Sequence, residues 1–245
     1  MDSHAVLLPV LFFGIAFLYS SVGHAGASGY LAVMALVSAA PESIRPTALI
    51  LNIVVASVAS VQYLRAGCFD ARVFFPFALL AVPSAYLGGR VALPGHGLKA
   101  AIGVVLLASA CLMLVRAFLR PRERVGPPPI PIGLLGGGAI GFISGLTAVG
   151  GGIFLSPLLL YFGWAEARKV SGVAAVFILV NSIAGLLGQA GRGLPHGRAL
   201  FLAVVAVLVG GLMGSRLGST LFDRRAILSV LFLVLVIAGV KMIAI

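Results

Sequence analysis

Two glycine-rich stretches, in corresponding halves of the chain, could hold an anion without any charged side chain. The first reads GHAGASG at residues 23–29, and the second reads GLTAVGGG at residues 145–152. A helix that begins at such a stretch would direct free amide N–H groups, and the positive end of its dipole, into the protein. One stretch alone would favour close helix packing through small residues. Two stretches, each before a short apolar block, favour anion binding.

Composition places these stretches inside a membrane. Of the 245 residues, 61% are hydrophobic and 9% are charged, whereas a soluble domain averages about 45–50% apolar and about 25% charged residues. Ten apolar blocks cover residues 5–22, 29–40, 46–64, 73–93, 97–119, 131–149, 152–163, 170–190, 198–213 and 226–243. Because most of these blocks can span a hydrocarbon core of about 30 Å, the sequence predicts an all-α integral membrane protein with about 8–10 transmembrane segments.

The two short blocks point to an internal duplication. Blocks 29–40 and 152–163 each hold twelve residues, or roughly 18 Å of helix. An offset of 123 residues aligns Gly29 with Gly152 and Arg45 with Arg168, and an offset of 126 aligns LGGR at 87–90 with MGSR at 213–216. Each half is therefore expected to contain one half-length helix that follows a glycine-rich turn.

The segment RPRERVGPPPIP divides the two copies. Its charges and prolines are typical of a solvent-exposed linker. We therefore predict a first membrane repeat over residues 1–119, a cytoplasmic linker over 120–131 and a second membrane repeat over 132–245.

The loop charges predict how the chain crosses the membrane. The basic residues that give the net charge of +11 lie between the apolar blocks. They therefore indicate membrane topology rather than a nucleic-acid partner. If each short block crosses, or forms a hairpin with the block before it, one side carries eleven basic residues: Arg65, Arg72, Arg116, Arg120, Arg122, Arg124, Arg168, Lys169, Arg216, Arg224 and Arg225. The other side carries six, which places the first set in the cytoplasm and both termini in the periplasm.

If the short blocks were instead re-entrant loops between two full crossings, the two sides of the membrane would carry nine and eight basic residues. The positive-inside rule would then favour neither orientation. An odd number of crossings per half makes the halves inverted repeats. Secondary transporters commonly have this arrangement, with the binding site near the bilayer midplane between the repeats.

Arginines and amides supply further candidate binding groups. Arg45 and Arg168 follow the short blocks, and Arg90 and Arg216 follow small-residue pairs. A guanidinium fork fits sulfonate or carboxylate oxygens, although anchoring at the membrane surface explains most arginines near helix ends. The amides of Asn52 and Asn181 lie within apolar blocks, where either helix–helix hydrogen bonds or substrate contacts would satisfy them.

The acidic residues argue against a cation transporter. All six lie in loops or at block ends, at Asp2, Glu42, Asp70, Glu123, Glu166 and Asp223, whereas proton and sodium relays usually place carboxylates within the membrane. The two cysteines have no metal-ligand spacing, and we predict no metal site and no cofactor.

A second class of function has one motif in its favour. Gly26-Ala27-Ser28-Gly29 matches the GxSG pattern of rhomboid intramembrane proteases. That chemistry needs a histidine on a later helix to activate the serine, and no histidine lies within a spanning block. We therefore predict a transporter, not an enzyme, and retain the protease as an alternative.

The run AVGGGIFLSPL at residues 148–158 resembles the glycine-rich signature of the TauE/SafE family of sulfite and organosulfonate exporters. The likeness continues from Ser171 to Asn181, whereas the first copy, from Gly26 to Met34, is degenerate. The resemblance implies export of sulfite, sulfoacetate or related sulfonates across the bacterial inner membrane. A permease for another small anion is the alternative, and a homo-oligomer is possible.

The predicted binding site lies between the two glycine turns. Its residues are Gly26, Ala27, Ser28, Gly29, Asn52, Thr147, Gly150, Gly151, Gly152 and Asn181, with Arg45 and Arg168 as charge partners and Arg90 and Arg216 behind them.

Overall fold

The fold is all-helical throughout the residues that the computed structural model describes, which are 3–21, 24–37, 41–118, 126–191, 193, 195, 197–221 and 224–244. Along the chain these residues form α1 (Ser3–Ser21), α2 (Ala27–Leu36), α3 (Pro41–Arg65), α4 (Ala71–Arg90), α5 (Gly95–Phe118), α6 (Ile130–Thr147), α7 (Gly152–Tyr161), α8 (Ala167–Gly188), α9 (Arg198–Leu221) and α10 (Arg224–Ala244). Each predicted apolar block corresponds to one helix, so the predicted all-helical fold is confirmed, while the inverted relation of the two halves stays a prediction.

Helix length separates spanning helices from short ones. Within the described residues, seven helices are long and apolar enough to cross a membrane, namely α3, α4, α5, α6, α8, α9 and α10. The helices α2 and α7 have ten residues each, or about 15 Å, as the short blocks predicted. Half of the predicted linker, residues 120–125, lies outside the described residues, and α6 begins at Ile130.

Matching helices of the two halves make matching contacts. α4 packs along α6 as α1 packs along α9, while α3 packs on α8 and α5 packs on α10. Along α3 and α8, Leu49 adjoins Gly185 whereas Tyr63 adjoins Gly172, so these two helices are antiparallel. α5 and α10 are antiparallel for the same reason, since Gly103 adjoins Ile243 and Leu107 adjoins Gly239.

Glycine allows α4 and α6 to pack with their backbones in contact. Gly137, Gly141 and Gly145 of α6 face the carbonyl oxygens of Phe77, Ala81 and Ala85 so closely that a Cβ atom at any of the three would overlap the facing oxygen. Packing through small residues suits helices in a bilayer, where no hydrophobic force drives helices together. This row of three glycines fixes the position of α4 against α6.

Candidate functional site

The second glycine turn is built by left-handed backbone. α6 ends at Thr147, Ala148 has φ 65°, and Gly150 and Gly151 have φ 81° and 78° before α7 begins. Glycine adopts such angles without steric cost. The turn is buried, and the amide N–H groups of Gly152 and Ile153 have no hydrogen-bond acceptor in the described part of the chain. The N-terminus of α7 therefore presents unsatisfied donors inside the protein.

Asn52 of α3 reaches this turn from the other half of the chain. Its Nδ2 donates to Ser182 Oγ at 2.8 Å, and it lies where a Cβ atom on Gly150 would be. The absence of a side chain at Gly150 thus lets the amide approach the backbone. Asn52 and Ser182 are completely buried. The structure therefore brings together Asn52 and Gly150, two of the site residues predicted from the sequence.

Several buried oxygens on α3, α6, α7 and α8, the helices that meet around the turn, have no partner among the described groups. They are Asn52 Oδ1, Asn181 Oδ1, Ser144 Oγ and Ser156 Oγ. The Cβ of Ser144 lies 3.5 Å from the position of a Cβ on Gly151. Because an unsatisfied polar group in an apolar interior costs about 1–3 kcal/mol, polar groups concentrated at one turn indicate a place for a polar guest or for water.

The first glycine turn is built differently, because its own side chains fill it. Gly26 has φ 95° and precedes α2. Tyr19 Oη and Ser28 Oγ are 2.7 Å apart, and Tyr30 Oη donates to the carbonyl oxygen of Ala25 at 3.0 Å. The amides of Ala27, Ser28 and Gly29 have no backbone acceptor among the described residues. This turn has the same unsatisfied donors as the second turn, but tyrosine rings cover it.

Arg45 lies at one end of α3. We call the region formed by Arg45, Gly88, Gly89, Gly145 and Gly185 the sealed end. The Arg45 side chain is 3% exposed. Nη2 donates to the carbonyl oxygens of Gly145 at 3.0 Å and of Gly88 and Gly89 at 3.3 Å, and Nη1 donates to Val91 O at 3.3 Å. The guanidinium thus bonds the C-terminal ends of α4 and α6, where the helix dipoles are negative.

The opposite end of α3 lines a cleft between α1, α3 and α9. Its walls include Ser20, His24, Val55, Gln62, Tyr63 and Ser215. The cleft has a volume of about 30 Å³, room for about two water molecules. Gln62 lies seventeen residues from Arg45 along α3, or about 25 Å. The cleft end and the sealed end are therefore far apart. Val55, which lines the cleft, lies one helical turn from Asn52 along α3.

The remaining predicted site residues lie apart from the turns or bond within their own helix. Thr147 Oγ1 donates to Ile143 O at 2.7 Å, and Asn181 Nδ2 donates to Phe177 O at 2.8 Å. Arg168, Arg90 and Arg216 are exposed. The guanidinium of Arg90 lies over the Tyr86 ring at 5.9 Å.

Sequence reasoning missed Ser182 and Ser144. Both are small polar residues in apolar helices, and Ser182 immediately follows the predicted Asn181. A search for every hydroxyl within the apolar blocks would have included both, although it could not have shown which helix they face.

The GxSG serine has a tyrosine, not a histidine, as its recorded hydrogen-bond partner. Tyr19 lies on α1, before the serine, whereas the protease chemistry requires a base from a later helix. The geometry of Ser28 therefore gives no support to a nucleophilic role.

Comparison with known proteins agrees with the helical arrangement. A model of the sulfite exporter TauE/SafE family matches residues 8–242. The probable membrane transporter protein y4hK of Sinorhizobium fredii is 38% identical over 99% of both chains. Probable membrane transporter proteins of Xylella fastidiosa (33% identical, 43% of this chain and 41% of the relative) and of Bacillus subtilis (YjnA; 28% identical, 60% of each) are also similar. No solved structure matches the chain significantly.

Proposed function

The chain belongs to the sulfite exporter TauE/SafE family and is a multi-pass membrane transporter, and from this premise we propose that it exports small sulfur oxyanions such as sulfite and sulfoacetate across the bacterial inner membrane. One observation carries the proposal. Asn52 brings an amide donor against Gly150 of the buried second glycine turn, and the N–H groups of Gly152 and Ile153, which follow in the same turn, have no acceptor among the described residues. Converging neutral donors of this kind bind oxyanions.

The binding site lies between two inverted repeats, residues 1–119 and 132–245, joined by the linker at 120–131. The antiparallel courses of α3 against α8 and of α5 against α10 support this relation, because equivalent helices of inverted repeats run in opposite directions. Asn52 from the first repeat and Gly150 from the second form the contact at which a substrate would bridge the two repeats.

The cleft faces the cytoplasm in this proposal, and both termini face the periplasm. Arg65, Arg168 and Arg216, at the cleft end of their helices, belong to the side with more basic residues. An anion entering from the cytoplasm would pass Gln62 and Val55 before it reached Asn52. The interior-negative potential would then favour exit by about 2.3 kcal/mol per charge per 100 mV.

The guest at the second turn is held by dipoles in this proposal, since Arg45 is bonded to carbonyl oxygens at the sealed end and Arg168 and Arg216 are exposed. Arg168 and Arg216 lie at the cleft end, where they would attract anions toward the cleft. Arg90 lies at the sealed end, as the last residue of α4. Ser28 and Gly26–Gly29 form the equivalent position in the first repeat, which Tyr19 and Tyr30 now cover. One anion per chain is therefore expected at the second turn in this conformation.

Flux measurements in proteoliposomes test the proposal. Labelled sulfite, sulfoacetate and acetate are loaded separately, and efflux is driven by an imposed potential. We expect potential-dependent efflux of the two sulfur anions. Asn52→Leu removes the amide donor at nearly constant volume, and we expect it to lower the flux at least about tenfold.

Ser60→Ala is the matched control, because Ser60 is another buried polar residue of α3 whose hydroxyl has no partner among the described groups. It should leave the flux unchanged. Equal flux in Asn52→Leu and the wild type would overturn the assignment of the second turn. Efflux of acetate without efflux of sulfite or sulfoacetate would overturn the proposed substrate class and favour a carboxylate permease.

A further inference from the structure

Arg45 and Arg168 occupy equivalent positions in the two repeats but have opposite environments. Arg45 is buried and donates to carbonyl oxygens of Gly88, Gly89, Val91 and Gly145. Arg168 is exposed, and no hydrogen bond or ion pair of its side chain is found among the described residues. The two cations lie at opposite ends of the bundle, since α3 and α8 are antiparallel.

The helix contacts around the two arginines differ as the burial of the arginines does. At the sealed end, a Cβ on Gly89 would overlap the carbonyl oxygen of Gly185. The repeat offsets place Gly89 on Ser215 (89 + 126) and Gly185 on Gln62 (185 − 123). Ser215 and Gln62 are both cleft-lining residues. The backbone contact between α4 and α8 at the sealed end therefore corresponds, at the cleft end, to positions of α9 and α3 that line the cleft.

Two of the carbonyl groups that hold Arg45 have counterparts in the second repeat. The offset of 126 places Gly88 and Gly89 on Gly214 and Ser215, in the last part of α9. If α9 closed onto α3 as α4 closes onto α8, those carbonyl oxygens would approach the N-terminal end of α8, where Arg168 lies.

We propose that Arg45 and Arg168 are reciprocal gate residues. In the described conformation Arg45 bonds the ends of α4 and α6 and closes the sealed end, while Arg168 is released and the cleft is open. In the alternate conformation Arg168 bonds the end of α9 and closes the cleft, and Arg45 releases α4. This proposal rests on transport by the chain but not on which anion is carried, because the arginines bond backbone oxygens rather than substrate.

Thiol labelling without substrate tests the gates directly. In the Cys68→Ala/Cys111→Ala background, Leu49→Cys reports the sealed end, since Leu49 is buried one turn from Arg45 and contacts Gly185. Gln62→Cys reports the cleft. A membrane-impermeant maleimide is applied from each side in oriented vesicles, so the readout is independent of the substrate assignment.

Arg45→Gln should raise the rate of Leu49→Cys labelling about tenfold and lower the rate of Gln62→Cys labelling, because charge-assisted bonds that hold only one conformation are removed. Adding Arg168→Gln removes the competing gate and should return both rates toward the wild-type values. Arg198→Gln, an exposed cation at the start of α9, is the matched control and should change neither rate.

Unchanged labelling in Arg45→Gln would overturn the proposal, as would equal labelling in Arg45→Gln and in the double variant. If Arg45→Gln does not give a monodisperse protein, Arg45→Lys keeps the charge but reaches fewer carbonyl oxygens, and the same two shifts are expected at smaller size. Failure of sulfite flux with the predicted labelling shifts would reject the substrate and leave the gates standing.

Discussion

In the duplication that we propose, the sealed end and the cleft end are built from equivalent parts of the chain, yet helices meet closely at one end and line a cleft at the other. At the sealed end, α4 and α8 meet through Gly89 and Gly185, and Arg45 bonds both α4 and α6. At the cleft end, the equivalent positions are Ser215 and Gln62, and space separates them. The difference therefore lies in how the parts pack, not in which parts are present.

This asymmetry is what a transporter with two gates requires. A polar solute can reach a midplane site only if one end opens while the other stays closed. Packed helix interfaces switch between discrete arrangements rather than deform continuously. If the two ends are equivalent, as we propose, their different arrangements are two states of one kind of interface. Exchanging the arrangements would then expose the proposed site to the other side of the membrane.

The largest expected effect comes from forcing a side chain into the sealed end. Gly145→Ala places a methyl group on the carbonyl oxygen of Ala85, so α4 and α6 must separate. We expect a loss of about 2–3 kcal/mol in stability, measured as a fall of roughly 5–10 °C in the melting temperature of the purified protein.

Gly211→Ala is the matched control at the cleft end. Its new Cβ would meet Ser20 and Val55 at 3.4 Å, an ordinary contact, and alanine favours helix. The melting temperature should stay within about 2 °C of the wild-type value. Equal losses in the two variants would mean that both ends are packed equally tightly, and the comparison would fail.

Exchanging the two equivalent residues should shift the balance between the ends. Gly89→Ser inserts a side chain where Gly89 meets the backbone of Gly185, and Ser215→Gly removes one from the cleft wall. Because the first substitution wedges the sealed end and the second lets the cleft close, both should lower maleimide labelling of Gln62→Cys. We expect a change of about threefold to tenfold for Gly89→Ser and a smaller one for Ser215→Gly. Opposite shifts in the two variants would contradict the proposed equivalence.

The sequence was sufficient for the elements but not for their asymmetry. Hydrophobic length and glycine position predicted the helices of the described residues, including the short α2 and α7, because those features depend on the local chain and the bilayer. The repeat offsets aligned Arg45 with Arg168. They could not show that only Arg45 is buried, since burial depends on which packed arrangement the duplicated parts adopt.

The candidate site was predictable in part for a similar reason. The second glycine turn follows from local backbone preference, and Asn52 stood out as an amide in an apolar block. The contact between Asn52 and Gly150 joins residues 98 positions apart, and it depends on how α3 packs against the turn between α6 and α7. Ser182 and Ser144 carry no periodic signal in the sequence, because a single hydroxyl in a membrane helix more often bonds within its own helix.

The smallest expected effect concerns the exposed contact that joins α8 to the start of α4 near the cleft. Lys169 Nζ lies 3.6 Å from Asp70 Oδ2, and Asp70 Oδ1 also accepts the Arg72 N–H at 3.1 Å as the N-cap of α4. Asp70→Ala should cost about 1 kcal/mol, mainly through the lost cap. Lys169→Ala should cost only a few tenths, about 0.3 kcal/mol, because the lysine is partly exposed. Thermal melts at about 0.15 M and about 1 M salt separate the two contributions, since salt screens the ion pair but leaves the cap. An equal, salt-sensitive loss in both variants would make the ion pair the main contact there, and the cleft end would then be held by charge as the sealed end is held by Arg45.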